Sequence, residues 1–144
     1  MAIGFWNYRA ELLEMNMTTV VVFPKKIGEE KIPCLFLLHT DGSSPMEVMR
    51  RYDIEGLVEQ LHMAVILPTG HRSCFCNLEY GAAYNDYLTQ ELLPKVRSTF
   101  GCISEHREDT FICGMGTGEK GACEAFKKHP ELFAGGENGT HTNG

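Results

Sequence analysis

The sequence predicts a single α/β domain, and three observations predict it. Segments 33–38, 64–67 and 110–113 are short and continuously apolar, which is typical of parallel strands buried on both faces. Segments 54–61 and 84–100, which lie between them, carry apolar residues at helical spacing. The 144-residue chain is 43% hydrophobic and 22% charged, an ordinary composition for one globular domain. Strands that alternate with helices favour a sheet with right-handed crossovers.

Both ends of the chain differ from this alternating pattern. Two β-prone segments, 3–13 and 17–23, open the sequence with a polar break between them, and they predict an N-terminal β-hairpin. A third helix is predicted over 118–128. After it the composition changes to Gly, Asn, Thr, Glu and His, so we predict one domain over 1–134 and a disordered polar tail over 135–144.

Charge and hydropathy narrow the choice of partners and location. The chain carries 13 Lys and Arg against 19 Asp and Glu, and a net charge of −6 argues against nucleic acid or an anionic membrane as the main partner. No apolar run is long enough to span a bilayer, and residues 1–8 lack the pattern of a signal peptide. Six cysteines are too few for a secreted disulfide scaffold. We therefore predict a cytoplasmic protein with reduced thiols.

The turn at 114–118 is the most informative candidate site. Ligands of open α/β sheets bind beyond the carboxyl ends of the strands, which here are 39–44, 69–77 and 114–118. The last of these is Gly-Met-Gly-Thr-Gly between a buried strand and a helix, the context of the nucleophile elbow G-x-S-x-G. Gly116 occupies the position of the serine.

Several further motifs identify a family. They are His39, Tyr80-Gly81, Thr89-Gln90-Glu91-Leu92-Leu93-Pro94, Arg107-Glu108-Asp109-Thr110-Phe111-Ile112-Cys113-Gly114, Gly121-Ala122 and Pro130-Glu131-Leu132-Phe133. In this combination the chain resembles the esterase D and S-formylglutathione hydrolase family of α/β-hydrolases, close to its tributyrin and acetyl esterase branch. The match runs from the hairpin to about Gly136, which is the first half of such an enzyme.

The resemblance implies hydrolysis of short acyl esters or thioesters by a Ser-Asp-His triad, without a metal or other cofactor. It implies that the oxyanion is held by the backbone N–H after the nucleophile, here that of Thr117, and by one from the loop at Thr40 and Asp41. In the resembling enzymes the segment that contains Phe75 and Tyr80 lines the acyl pocket. His39 is expected beside the oxyanion loop, as a pocket or structural residue.

The sequence departs from the family pattern at three points. Gly116 has no side chain to acylate. The usual His-Gly of the oxyanion loop is His39-Thr40. The chain also stops before the strands expected to bear the triad Asp and His. We therefore expect a truncated α/β-hydrolase fold, a pseudoenzyme without serine-esterase activity. Thr117 is the remaining hydroxyl at the elbow, and we expect it to cap the helix and not to act as a nucleophile.

Other interpretations stay open. The chain could be a non-catalytic binding module, or a half-domain that a partner chain or a second copy completes at the open edge of its last strand. Residues 116–121 also match G-x-G-x-x-G, which is compatible with a phosphate or nucleotide site. The 71–76 loop offers a histidine with Cys74 and Cys76, but no fourth ligand for a metal is apparent, so reduced surface thiols are expected there.

Overall fold

The computed structural model describes residues 1–135 and contains one five-stranded mixed sheet. The strands are β1 (Ala2–Ala10), β2 (Met15–Phe23), β3 (Cys34–Leu38), β4 (Ala64–Leu67) and β5 (Thr110–Gly114), in the order β1-β2-β4-β3-β5. β1 pairs with β2, and β2 with β4, in antiparallel orientation, whereas β3 is parallel to both β4 and β5. The predicted hairpin and the predicted parallel strands are confirmed.

Five α-helices surround the sheet. They are α1 (Pro45–Arg51), α2 (Ile54–Leu61), α3 (Tyr84–Asp86), α4 (Leu93–Thr99) and α5 (Gly118–Lys128), with a π-helical segment, Tyr87–Leu92, between α3 and α4 and short 3₁₀ turns at Arg107–Asp109 and Pro130–Leu132. The helices predicted over 54–61 and 118–128 have the predicted bounds. Within residues 1–135, none of the helices combines the length and the apolar character that crossing a membrane requires.

The sheet is covered on both faces, as its continuously apolar strands predicted. Along β4, Ala64 and Ile66 point into a core that includes side chains of the helical segment 84–96 and of α5, whereas Val65 and Leu67 point into a second core with α1 and α2. Because successive strand residues face opposite sides, four consecutive apolar residues serve two cores. All four are completely buried.

A proline determines how the long helical segment is built. Pro94 has no N–H, and its ring would collide with the carbonyl four residues earlier in a regular α-helix. The π-helical turns of Tyr87–Leu92 precede it, and the N–H of Leu93 donates to the carbonyl of Leu88, five residues back. The wider turn lets the chain continue into α4 with Pro94 in its first turn. The sequence predicted a kink or a new segment here, and the structure shows a new segment without a break.

The hairpin is tied to this helical segment by its turn. β1 and β2 pair over nine residues each without a bulge. The carboxylate of Glu91 accepts hydrogen bonds from the backbone N–H groups of Glu11 and Leu12, at 2.8 and 3.0 Å. These two amides belong to the exposed turn that joins the strands, so one carboxylate fixes the turn against the helix 80 residues away.

Beneath the hairpin, three hydroxyl groups meet in the larger core. Tyr8 Oη is 3.0 Å from Thr19 Oγ1 and also bonds to Tyr87 Oη. Thr19 and Tyr87 are completely buried, and burial raises the pKa of the Tyr87 phenol, so it is a neutral donor. We call Tyr8, Thr19 and Tyr87 the core hydroxyl cluster. It satisfies the polar atoms that the hairpin brings into an apolar layer.

The edge of the sheet at β5 differs from the expectation. Ala134 N–H donates to Thr110 O at 2.8 Å, and Ile112 N–H donates to Gly135 O at 3.1 Å. The chain therefore returns parallel to β5 and pairs with the first half of its outer side. The predicted fully open edge is wrong for that half. The remainder of the predicted polar tail, 136–144, lies outside the described residues.

Candidate active site

The turn between β5 and α5 has the backbone shape of a nucleophile elbow. Gly116 stands at its tip with a φ of +54°, a left-handed conformation. A methyl group on Gly118 would lie 2.5 Å from the carbonyl oxygen of His39, and one on Gly114 would collide with the backbone at Gly118. Both flanking glycines are therefore required by close backbone approach, which is the reason for the G-x-x-x-G frame of the elbow.

The place of the nucleophile side chain is occupied by Thr40. A Cβ atom built on Gly116 would lie 2.6 Å from Thr40 Oγ1 and 2.9 Å from Thr40 Cβ. Carbon atoms do not approach one another so closely without displacement of one of them. A serine at position 116 therefore requires Thr40 to move, and Thr40 is the residue at which the resembling enzymes are expected to have glycine.

The two backbone amides expected to hold an oxyanion point at threonine hydroxyls. Thr117 N–H donates to Thr40 Oγ1 at 3.1 Å, and Asp41 N–H donates to Thr117 Oγ1 at 2.7 Å. The two hydroxyl oxygens are 3.0 Å apart. We call Thr40 and Thr117 the elbow hydroxyl pair. It connects the oxyanion loop after β3 to the start of α5 and gives both amides an internal acceptor.

Thr117 stands at the position that precedes α5, but its hydroxyl makes no capping bond to the helix. The hydroxyl bonds instead to the oxyanion loop, through Thr40 and the N–H of Asp41. Thr117 is therefore at the predicted N-cap position of α5, but without the side-chain hydrogen bond that usually accompanies it. The Asp41 N–H is a competing donor to the same oxygen, and Thr117 has a helical φ of −71° and ψ of −13° in place of the extended backbone of a side-chain cap.

The His39 ring connects the oxyanion loop to the loop after β4 by two hydrogen bonds. Gly70 N–H donates to its Nε2 at 2.9 Å, so the proton is on Nδ1, which lies 2.7 Å from Thr40 O. The ring is buried, with 2% of its surface exposed, and burial lowers its pKa, which keeps it neutral near pH 7. Since both nitrogens are engaged, His39 connects two loops and has no free nitrogen for general-base chemistry.

The other residues predicted for the substrate pocket lie apart from the elbow. Phe75 is completely buried, with its ring centroid 5.1 Å from that of His39, and it packs against Gly70 and Gly121. Tyr80 is 95% exposed. None of Phe75, Tyr80 and His39 lines the cleft beside Gly116. The structure therefore packs His39 and Phe75 against each other in the interior, whereas Tyr80 lies on the surface.

A polar cleft of about 540 Å³ opens next to Gly116. It is lined by the loop 40–44, by α1 and the residue after it, and by Met115 and Gly116. On α1, the Glu47 carboxylate accepts hydrogen bonds from Arg50 and Arg51, at 2.6 and 3.1 Å, and these two cations lower its pKa. The cleft has room for a small molecule, and its lining presents the carboxylates of Asp41 and Glu47 with the guanidinium of Arg51.

Sequence reasoning missed α1 and with it one wall of the cleft. The signal was available in Ser44-Pro45-Met46-Glu47, because a serine followed three residues later by glutamate, with a proline in the first helical position, is typical of a helix start. Ser44 Oγ accepts a hydrogen bond from Glu47 N–H at 3.2 Å, as such a cap requires. The helix has only seven residues and no complete apolar stripe, so periodicity alone did not indicate it.

Two alternative sites find no supporting geometry. In the G-x-G-x-x-G match, a methyl group on Gly121 would meet Cys74 O at 2.5 Å, so this glycine is explained by packing of α5 against the 74–75 loop and not by approach of a phosphate. In the 71–76 loop, His71 Nδ1 lies 2.8 Å from Tyr84 Oη, and Cys74 and Cys76 are free thiols. Residues 1–135 contain no group of three or more His, Cys, Asp or Glu placed to hold a metal ion.

Comparison with known proteins shows that this chain is similar to esterases. No family model matches the sequence. The acetyl esterase of Caldicellulosiruptor saccharolyticus is 29% identical to this chain over 145 residues, which cover 94% of this chain and 54% of that protein. Among solved structures, the fluorophosphonate-binding serine hydrolase FphF of Staphylococcus aureus is 28% identical with a TM-score of 0.85, and the match covers 92% of this chain and 54% of that one.

A second staphylococcal structure gives the same result. The S-formylglutathione hydrolase FrmB of Staphylococcus aureus is 26% identical with a TM-score of 0.81, over 94% of this chain and 56% of that one. The chain thus spans about half the length of each of these three relatives. It has the α/β-hydrolase fold of their N-terminal portions and is similar to esterases of this family.

Proposed function

We propose that this chain keeps the cleft and elbow of a short-acyl esterase but does not hydrolyse esters by serine-esterase chemistry. One observation carries the proposal: the nucleophile position is Gly116, and Thr40 stands where a side chain at that position would be. Acyl transfer in such enzymes begins with attack of a side-chain oxygen on the ester carbonyl. Glycine has no such atom.

The remaining catalytic groups support the same conclusion. Loss of the nucleophile of a triad leaves only the rate enhancement that oxyanion donors and binding provide. Here Thr117 N–H and Asp41 N–H, the two expected donors, already bond to the elbow hydroxyl pair. An oxyanion would have to displace these hydroxyls before the amides could stabilise it. Residual catalysis by the elbow is therefore expected to be small as well.

Binding is the function that the geometry leaves open. The cleft beside Gly116 has room for a small acyl ester or a similar uncharged molecule, at about 540 Å³. No cofactor is part of the proposal. The net charge of −6 does not favour nucleic acid or an anionic membrane as a partner. A cytoplasmic location remains part of the proposal and is supported by the absence of any disulfide among the cysteines of residues 1–135.

Turnover of p-nitrophenyl acetate by the purified, folded protein tests this proposal. Free thiols react with this ester, so the assay needs a sample with blocked cysteines. Burial raises the pKa of Cys34 to about 12 and also raises that of Cys76, so neither thiol should contribute much background at neutral pH. We expect no turnover by the blocked protein above the rate in buffer. Turnover that persists in the blocked protein and disappears in Thr117→Ala would overturn the proposal and make Thr117 a displaced nucleophile.

A second candidate is a non-catalytic module that associates through the sheet edge at β5. The observation that favours it is that β5 is the last strand of the sheet and that, within residues 1–135, the chain covers only the first half of its outer side with Ala134 and Gly135. Strand edges of this kind pair readily with another chain. Light scattering over a range of protein concentrations tests it, and a monomer mass at every concentration contradicts self-association.

A further inference from the structure

We propose that Thr40 is a positioning residue that keeps the elbow closed, and that its side chain blocks both the nucleophile position and the oxyanion amide of Thr117. This inference rests on the proposed function. It gives a second reason, besides the missing serine, why the elbow does not catalyse ester hydrolysis. It predicts that removal of the Thr40 side chain makes position 116 competent to accept a nucleophile.

The steric part of the argument concerns two atoms of Thr40. Its Oγ1 and Cβ would lie 2.6 and 2.9 Å from a Cβ atom at position 116, whereas its Cγ2 would lie at 3.9 Å, an ordinary contact. Replacement by serine, valine or alanine keeps the Cβ atom in place, so each of these variants keeps part of the collision. Only Thr40→Gly removes both close contacts.

The electrostatic part concerns the two amides. Thr40 Oγ1 accepts the N–H of Thr117 at 3.1 Å and lies 3.0 Å from Thr117 Oγ1, which in turn accepts the N–H of Asp41 at 2.7 Å. Without the Thr40 hydroxyl, the N–H of Thr117 has no side-chain acceptor in this network. The Asp41 N–H keeps the Thr117 hydroxyl as its acceptor, so the Thr117 amide is the oxyanion donor that removal of Thr40 frees.

The backbone of the loop does not depend on the Thr40 side chain. The carbonyl of Thr40 accepts a hydrogen bond from Ser43 N–H at 3.0 Å and another from the Nδ1–H of His39. Thr40 is also not among the residues with positive φ. We therefore expect Thr40→Gly to fold with the loop in place, since both anchors of the loop remain.

The test introduces a thiol at the elbow with Gly116→Cys, alone and together with Thr40→Gly. A thiol at the start of a helix ionises more readily than a free one and needs no neighbouring base. Its thiolate attacks the carbonyl carbon of p-nitrophenyl acetate, the bond to the nitrophenoxide oxygen breaks, and a thioester and one nitrophenolate result. Peptide mass spectrometry measures the acetylation rate at position 116 separately from the native cysteines.

We expect acetylation at position 116 to be at least about tenfold faster in the double variant than in Gly116→Cys alone, because even one available oxyanion donor has a large effect on acyl transfer. Thr40→Ser and Thr40→Val, each combined with Gly116→Cys, should stay close to the slow rate, because serine keeps the hydroxyl and valine keeps the bulk.

The matched control is Thr69→Gly with Gly116→Cys, since Thr69 also loses one side-chain hydrogen bond, to Thr18 O. Equal rates with and without Thr40→Gly, or an equal gain with Thr69→Gly, would overturn the inference.

A measurement in the native elbow keeps the inference testable where Gly116→Cys fails to fold. Amide hydrogen exchange, followed by NMR, should speed up at Thr117 in Thr40→Gly, where this amide loses its acceptor, and stay near the native rate in Thr40→Ser. Unchanged exchange at Thr117 in Thr40→Gly would contradict it. The proposed function fails on a separate result, turnover by the unmodified protein, so the two failures are distinguishable.

Discussion

Two groups of hydroxyls tie distant parts of this chain together, and they differ in burial. The core hydroxyl cluster joins the hairpin to the helical segment with Thr19 and Tyr87 completely buried. The elbow hydroxyl pair joins the oxyanion loop to α5 at the surface. A buried hydroxyl that loses its partner cannot form a hydrogen bond with water instead, whereas an exposed hydroxyl can. We therefore infer that the first group contributes to stability, and that the second mainly decides which amides are available.

The largest effect in this comparison is expected from the core hydroxyl cluster. Tyr87→Ala removes a completely buried ring and leaves a cavity between the hairpin and the helical layer. Aromatic-to-alanine changes in cores cost about 3–5 kcal/mol of the free energy of unfolding. Urea denaturation measures it. Tyr80→Ala is the matched control, because Tyr80 is 95% exposed, and its change should stay within about 0.5 kcal/mol. Similar losses in both variants would contradict the burial argument.

A smaller effect isolates the hydroxyl from the ring. Tyr87→Phe keeps the packing but removes one partner of Tyr8 Oη, which still has Thr19 Oγ1 at 3.0 Å. Because one partner remains, the expected loss is about 1 kcal/mol, the net contribution of a typical hydrogen bond. Urea denaturation of the single variants and of Tyr8→Phe/Tyr87→Phe measures the coupling between the two phenols. Additive losses would show that the bond between them contributes nothing of its own.

Acid should weaken the site region through His39. Burial lowers the pKa of this histidine below its ordinary 6.5. The unfolded chain therefore binds a proton that the folded chain resists, so the contribution of neutral His39 is complete above about pH 6.5 and is lost as the pH falls toward the lowered pKa. The hydrogen bond to Thr40 O and the Asp41 carboxylate act against this lowering of the pKa of His39, whereas His71 adds to it. Thermal unfolding between pH 7.5 and 5 should show a smaller acid loss in His39→Gln than in the native protein, and equal losses would contradict it.

The sequence predicted the framework better than the site, and particular residues show why. The strand at 64–67 and the helix at 118–128 follow from local patterns, and the structure has both with the same bounds. The spacing of Gly114 and Gly118 likewise predicted the elbow, because the close backbone approach at each of these positions requires a glycine there. Such features are local in the chain.

The elbow hydroxyl pair is not local. Thr40 and Thr117 are 77 residues apart, and nothing in either segment indicates that their hydroxyls meet. The same holds for Phe75, whose position in a pocket was predicted from family resemblance but whose positive φ and packing against Gly121 bury it. Contacts between loops depend on how the whole sheet is assembled, and a pattern in one loop does not contain that information.

The smallest expected effect is at the elbow hydroxyl pair itself. Thr117→Val keeps the shape of the side chain and removes the acceptor of the Asp41 N–H, which can then bond to water because this end of the pair is exposed. Surface substitutions of this kind change the free energy of unfolding by no more than about 0.5 kcal/mol. Amide exchange of Asp41 should nevertheless become faster. A stability loss as large as that of Tyr87→Phe would mean that the exposed pair holds the loop in place, and the distinction between the two groups of hydroxyls would then not stand.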